Sequence, residues 1–140
     1  MLSEAARAQM VHPQVRAGEV LDAGALEALG KVPREHFVPE AYRDLAFADA
    51  AIPLPHGEQM LAPNIVGRVL QALQVRQDES VLEVGTGSGF LTACLALQAG
   101  VVRSLEIHAD LAVAARTRLA ALGFGQAEVV AGDAFATEVL

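Results

Sequence analysis

The stretch Val81-Leu82-Glu83-Val84-Gly85-Thr86-Gly87-Ser88-Gly89-Phe90 limits what this chain can fold into more than any other part of it. Glycines at three alternate positions follow an apolar run, which reads as a strand breaking into a tight turn and then a helix starting near Ser88. Val81, Leu82 and Val84 show no solvent-facing alternation, so the strand is expected to be parallel and covered on both faces. Glu83 interrupts it just before the turn and is placed as a ligand contact. The glycines let the backbone approach a ligand closely, and the helix start offers free N–H groups. A dinucleotide fingerprint would need glycine where Phe90 stands, and no Gly-Lys-Ser/Thr follows to make a phosphate loop. NAD and ATP are therefore disfavoured.

Two further strands are expected, residues 101–105 ending in Glu106 and residues 128–131 ending in Gly132-Asp133. Residues 91–98 read as a helix with Gly100 as its stop. A second helix, opened by His108 and Asp110, carries Leu111, Ala115, Leu119 and Leu122 at helical spacing and ends at Gly123. Arg116 and Arg118 fall on its solvated face. Strands alternating with helices make right-handed crossover units and a parallel sheet. An acid about twenty residues past the turn, at the end of the second strand, is placed to accept both ribose hydroxyls of a nucleoside, and Glu106 fits that role. The ensemble resembles motif I of the class I S-adenosylmethionine-dependent methyltransferases. The resemblance implies S-adenosylmethionine as cofactor, held by Glu83, Gly85, Thr86, Gly87, Gly89 and Glu106, with Asp133 meeting the adenine amino group. Read as residues alone, Glu106 and Asp133 are otherwise ordinary capping or turn acids, the lesser reading given their joint placement.

Upstream, residues 3–17 have helical composition, with Ser3 as N-cap and Pro13 kinking or ending the helix. Asp22 caps a second helix over residues 23–31 that carries Leu26 and Leu29 on one face and ends before Pro33. Val32-Pro33-Arg34-Glu35-His36-Phe37-Val38-Pro39-Glu40 follows a proline-fixed path with Phe37 and Val38 as buried anchors, and His36 reads as a surface histidine. Ala51-Ile52-Pro53-Leu54-Pro55-His56-Gly57-Glu58-Gln59-Met60-Leu61-Ala62-Pro63 then leads into a helix over residues 64–73. With Gln14-Val15-Arg16, this order resembles the N-terminal extension of the protein-L-isoaspartate O-methyltransferases, across residues 10–133. The resemblance implies methyl transfer to the free carboxylate of an isoaspartyl residue in a damaged protein, giving an ester that re-cyclises during repair. Such a carboxylate is already ionised at neutral pH, so no general base is needed and alignment with exclusion of water supplies the acceleration. The lack of a Ser-His-Asp or Cys-His constellation fits that chemistry.

One motif departs from the family. Its usual Gly-Gln-Thr-Ile-Ser-x-Pro turn reads Gly57-Glu58-Gln59-Met60-Leu61-Ala62-Pro63 here. Leu61 stands where the serine hydroxyl should be, and Glu58 adds negative charge in place of an amide. Losing a hydrogen bond to a charged group costs about 1.5–3 kcal/mol. Either the acceptor differs, or Gln59 supplies the missing donor, so Gln59 and Leu61 are the acceptor-side candidates. Met60 and Leu61 also read as plain core packing. A methyltransferase with another small-molecule or protein acceptor and a noncatalytic S-adenosylmethionine binder stay open as alternatives.

The 140 residues give room for one folded unit, with a helical cap and substrate-side segment over 1–63 and the first half of a Rossmann-like α/β domain over 64–140. Hydrophobic residues make up 53% and charged ones 19%, which suits a packed core. A net charge of −7 argues against nucleic-acid binding. Cys94 is the single cysteine and can form no internal disulfide or thiolate zinc site, which fits a reducing cytoplasm. No apolar run reaches membrane-span length, and the first residues lack a signal pattern. The class I fold places its first strand inside a seven-stranded sheet, whereas this chain ends soon after its third strand. The expectation is a truncated methyltransferase fold that does not turn over alone and self-associates through the apolar edge of its 81–84 strand.

Overall fold

Helix α1 (Leu2–Gln9) opens the computed structural model, which describes residues 2–15 and 19–136. Ser3 lies inside this helix rather than capping it. The helix widens into a π-helical turn over Met10–Val15 that contains Pro13, whose missing N–H cannot continue an α-helical ladder. Arg16 and Ala17, where the first helix was expected to end, lie outside the described residues. Arg7 of α1 donates to Glu35 at 2.6 Å and so ties the helix to the proline-bounded segment.

Helix α2 (Ala23–Lys31) is capped as the sequence predicts, with Asp22 Oδ2 accepting from the Ala25 N–H at 2.9 Å. Its entry is fixed against α3 (Pro63–Leu73) by one amide: Gln71 Oε1 accepts from the N–H groups of Leu21 and Asp22, at 2.7 and 2.9 Å. Proline opens α3 at a position where no N–H is required. Between α2 and α3, strands β1 (Ile52–Pro53) and β2 (Gln59–Met60) form a short antiparallel ladder with Ile52 opposite Met60.

The main sheet is parallel, in the order β3 (Ser80–Val84), β4 (Val101–Glu106), β5 (Glu128–Ala131). Helices α4 (Phe90–Gln98) and α5 (Ala109–Ala121) make the two crossovers. The register sets Glu83 opposite Ser104, and one face carries Val81, Glu83, Val102, Ser104 and Val129 into the core. The other face is open along β3 and at the start of β4, where Leu82 is 52% exposed, Val84 65% and Val101 59%, while Leu105 on the same face is buried. This corrects the expectation of a strand covered on both sides. The described helices bury one face only, so the apolar residues at alternate positions of β3 meet solvent, and β3 is also an outer strand.

The core runs through both segments of the chain. Met10, Val15, Leu29, Phe37 and Val38 from the N-terminal part pack in one cluster with Phe90, Leu95, Val102 and Val129. Gly100 does more than end α4: a Cβ there would stand 2.3 Å from the Gln77 carbonyl oxygen, so the loop beneath β4 closes only around glycine. Among the described residues no helix is long and apolar enough to cross a membrane.

Candidate functional site

The glycine turn is built from backbone that other residues rarely adopt. Gly85, Gly87 and Gly89 have φ of +95°, +57° and +94°. They carry the turn past Ser88, so α4 begins at Phe90, two residues later than the sequence suggests. Gly85 faces open space, with nothing within 4 Å of a built Cβ, whereas Gly87 sits against Leu54 and Gly89 against Ala115 and Phe37. Gly89 is thus a packing position. The Ser88 carbonyl accepts from Arg118 Nη1 at 3.2 Å, and the Val129 carbonyl from Arg116 Nη2 at 2.8 Å. Both were expected on a solvated face; Arg116 is exposed and Arg118 half-buried, and each also binds main chain, a reach that helical spacing does not report.

Two buried acids flank the turn. Glu83 Oε1 accepts from Ser104 Oγ at 2.6 Å and from Thr92 Oγ1, and the Thr86 and Ser104 hydroxyls are 2.6 Å apart. Burial pushes the Glu83 carboxyl up to about 7; the two hydroxyl bonds oppose the rise and the nearby Glu106 adds to it. Glu106 Oε1 accepts from the Gly87 N–H at 2.8 Å and Oε2 from the His108 N–H at 3.0 Å, so one carboxylate ties the turn to the start of α5. A carboxylate has about four lone-pair positions, which leaves two for a ligand. Asp133 is exposed, and its Oδ1 accepts from the Phe135 N–H at 2.9 Å in a turn after β5. It sits one residue beyond Gly132, whose N–H donates to the Glu106 carbonyl.

Above the turn lies a small cleft of about 70 Å³. Its lining brings Gln59, Met60 and Leu61 to Glu83, Gly85, Thr86 and Gly87, with Val66, Phe90 and Leu91. Gly89, Glu106 and Asp133 are not part of that lining. Met60 is buried, as a core reading requires, but Leu61 is 41% exposed. The turn before β2 is latched to α5: His56 has φ +67°, its Nε2 lies 2.8 Å from Asp110 Oδ1, and its ring stacks on His108 at 4.1 Å. Among the described residues no lysine or arginine lines the cleft. Sequence reading missed Thr92 and Ser104. A hydroxyl at an inward strand position, Ser104, was the available signal.

A parallel strand, a glycine turn of positive φ, a helix and an acid ending the next strand define the Rossmann-like fold of class I methyltransferases. A sequence model described as protein-L-isoaspartate(D-aspartate) O-methyltransferase (PCMT) matches residues 5–136, and the chain belongs to that family. It is 43% identical over 132 residues to protein-L-isoaspartate O-methyltransferase 2 of Anaeromyxobacter sp. (strain Fw109-5), covering 94% of this chain and 54% of that one. It is 45% identical to protein-L-isoaspartate O-methyltransferase 1 of Rhodopseudomonas palustris (strain HaA2), covering 92% and 53%. The chain therefore spans about half the length of the curated relatives it matches. Among solved structures, one titled a putative protein-L-isoaspartate O-methyltransferase from Plasmodium falciparum, in complex with S-adenosyl-L-homocysteine, superposes with a TM-score of 0.78. It is 20% identical and covers 90% of this chain and 62% of its own.

The elevated Glu83 carboxyl gives stability a pH dependence. Its folded pKa lies above the unfolded value of 4.5, so the folded state holds the proton more tightly. That contribution is full below the unfolded value and is lost as pH rises to about 7, by on the order of 3 kcal/mol. Glu83→Gln keeps an acceptor for Ser104 and Thr92 but does not titrate. Its melting temperature should fall less between pH 5 and pH 8 than that of the unsubstituted chain, and equal slopes would show that Glu83 does not titrate in that window.

Proposed function

We propose that this chain carries the donor-binding turn and the acceptor-facing cap of a cytoplasmic S-adenosylmethionine-dependent methyltransferase that acts on isoaspartyl carboxylates of damaged proteins. The observation that carries the reading is the cleft itself, which joins the glycine turn and Glu83 to Gln59 and Leu61. Residues 1–63 form the acceptor-side cap and residues 64–140 belong to the donor-binding unit.

When bound, S-adenosylmethionine supplies a methyl group on a positively charged sulfur. Glu83, Gly85, Thr86 and Gly87 would hold its methionine end, Glu106 its ribose hydroxyls through the two lone-pair positions left free, and Asp133 its adenine. Open space at Gly85 and the buried carboxylates fit a cationic nucleoside. Gly89 supports them through packing on α5. Met60, Leu61, Val66 and Phe90 present apolar surface that keeps water from the reacting atoms. An ionised acceptor needs no base from the chain, only orientation, and on the acceptor side of the lining the Gln59 amide can orient one of its oxygens, across from the Thr86 and Ser88 hydroxyls of the turn. The half-exposed Leu61, with no hydroxyl to offer, favours a second reading in which the acceptor is another small molecule or protein group.

Calorimetric titration with S-adenosylhomocysteine should show binding, with no response to NAD, and Glu106→Ala should weaken it by about 1.5–3 kcal/mol. Unchanged affinity in that variant would reduce Glu106 to a tether between the turn and α5. Incubation with an isoaspartyl peptide and labelled donor tests the acceptor: Gln59→Thr with Leu61→Ser should raise methyl ester formation. A rate already typical of the family without those changes would refute a disabling role for Leu61, and ester formation on other acceptors alone would favour the second reading. The open face of Leu82, Val84 and Val101 is proposed to drive self-association, seen in light scattering as a mass that rises with concentration and falls back in Leu82→Lys.

A further inference from the structure

Arg34 is the largest side chain that the fold shuts away completely. Its Nε donates to the Ala46 carbonyl at 2.7 Å and its Nη2 to the Leu61 carbonyl at 2.9 Å, while the guanidinium carbon lies 4.8 Å from the centroid of the Phe90 ring. Nη1 is buried without a hydrogen-bond partner, and among the described residues no carboxylate stands within ion-pair distance of the group. Burial lowers its pKa only to about 10, so it stays charged at neutral pH, with Asp49 acting on it from longer range. A lone buried cation is unfavourable, and an apolar side chain of similar volume would fill the space at lower electrostatic cost. Core stability does not account for an arginine here.

What Arg34 touches does account for it. Leu61 and Phe90 both line the cleft, so the guanidinium lies one residue layer behind the acceptor-side wall. Its planar fork holds two carbonyls from separate segments at once, one of them at the end of the β1–β2 ladder that carries Gln59. Among the described residues no lysine or arginine is in the lining, and Leu61 has no hydroxyl, so this charge sits behind that wall with the buried Phe90 ring between it and the cleft.

We infer that Arg34 is a positioning and specificity-determining residue of the acceptor side: it clamps the Leu61 main chain, at the end of residues 59–61, against Phe90, and its charge, with no carboxylate in direct contact, makes that wall favour an anionic group. The second half rests on the carboxylate-acceptor reading above; the first half does not.

The test compares Arg34→Lys, which keeps the charge without the fork, and Arg34→Met, which loses both. Three readouts are taken on the chain: amide hydrogen exchange, affinity for S-adenosylhomocysteine, and binding of a labelled isoaspartyl peptide against its uncharged isoasparaginyl analogue. Exchange at residues 59–62 should accelerate about tenfold in both variants, with cofactor-product affinity changed by less than about threefold. Preference for the acid over the amide should survive in Arg34→Lys and drop about tenfold in Arg34→Met. Unchanged exchange at 59–62, or acceleration spread evenly over the chain, would overturn the positioning role. Should Arg34→Met not fold, Arg34→Lys decides it through the localised exchange. If the unsubstituted chain itself does not prefer the acid, the carboxylate reading and the charge role fall together, while exchange at 59–62 still decides the clamp.

Discussion

The hydroxyl cluster around Glu83 is the interaction on which the site depends. Ser104 from β4 and Thr92 from α4 donate to one buried carboxylate of β3, and Thr86 from the glycine turn joins them through the Ser104 hydroxyl, so three short side chains link four elements. A buried acid is tolerated only if its oxygens are satisfied, so the cluster fixes which residues face inward. A slip of one residue in β3 would bring Leu82 or Val84 to that point and leave the Ser104 hydroxyl without its acceptor. Sheet register, turn position and helix start are therefore set together, and the turn emerges where Glu106 can tether it from the next strand.

The N-terminal segments reach this site mainly through main chain. The β1–β2 ladder is held at two separated points, by His56 against Asp110 on α5 and by Arg34 on the Leu61 carbonyl. Between them, Leu54 packs on Gly87 and Met60 enters the core. A reaction that asks for alignment and dryness, with no proton to move, is served by walls held in this way. Phe37 against Phe90, edge to face at 5.8 Å, binds the cap to the first turn of α4. Cap and sheet consequently share one core.

Family membership and local chemistry bear on different questions. The match over residues 5–136 establishes the relationship, and the parallel sheet with its glycine turn agrees with it. The segment from Gly57 to Pro63 is where the sequence reading places a departure from the family pattern. The fold separates three neighbours there: Met60 goes to the core, while Gln59 and Leu61 stay accessible on the cleft. Side-chain volume at Met60 is therefore a matter of stability, whereas polarity at Gln59 and Leu61 is what the proposed acceptor would meet.

The sequence alone determined the strand, turn and helix around Gly85, the two crossover units, the Asp22 cap and the Phe37 anchor. Each is written in local spacing: apolar runs, alternate glycines, a capping acid and prolines. It also brought forward Glu83 and Glu106, because an acid at a strand end is visible in one dimension. Tertiary structure decided what those acids bind, since Glu83 meets Ser104 and Thr92 across 21 and 9 residues, separations that no periodicity reports. It decided that Arg116 and Arg118 grip carbonyls and that Arg34 is buried, because long side chains choose their partners only once the surrounding surfaces exist. And it decided that Leu82 and Val84 are uncovered, since an apolar run states a strand's affinity for burial but not whether a neighbour is present to bury it.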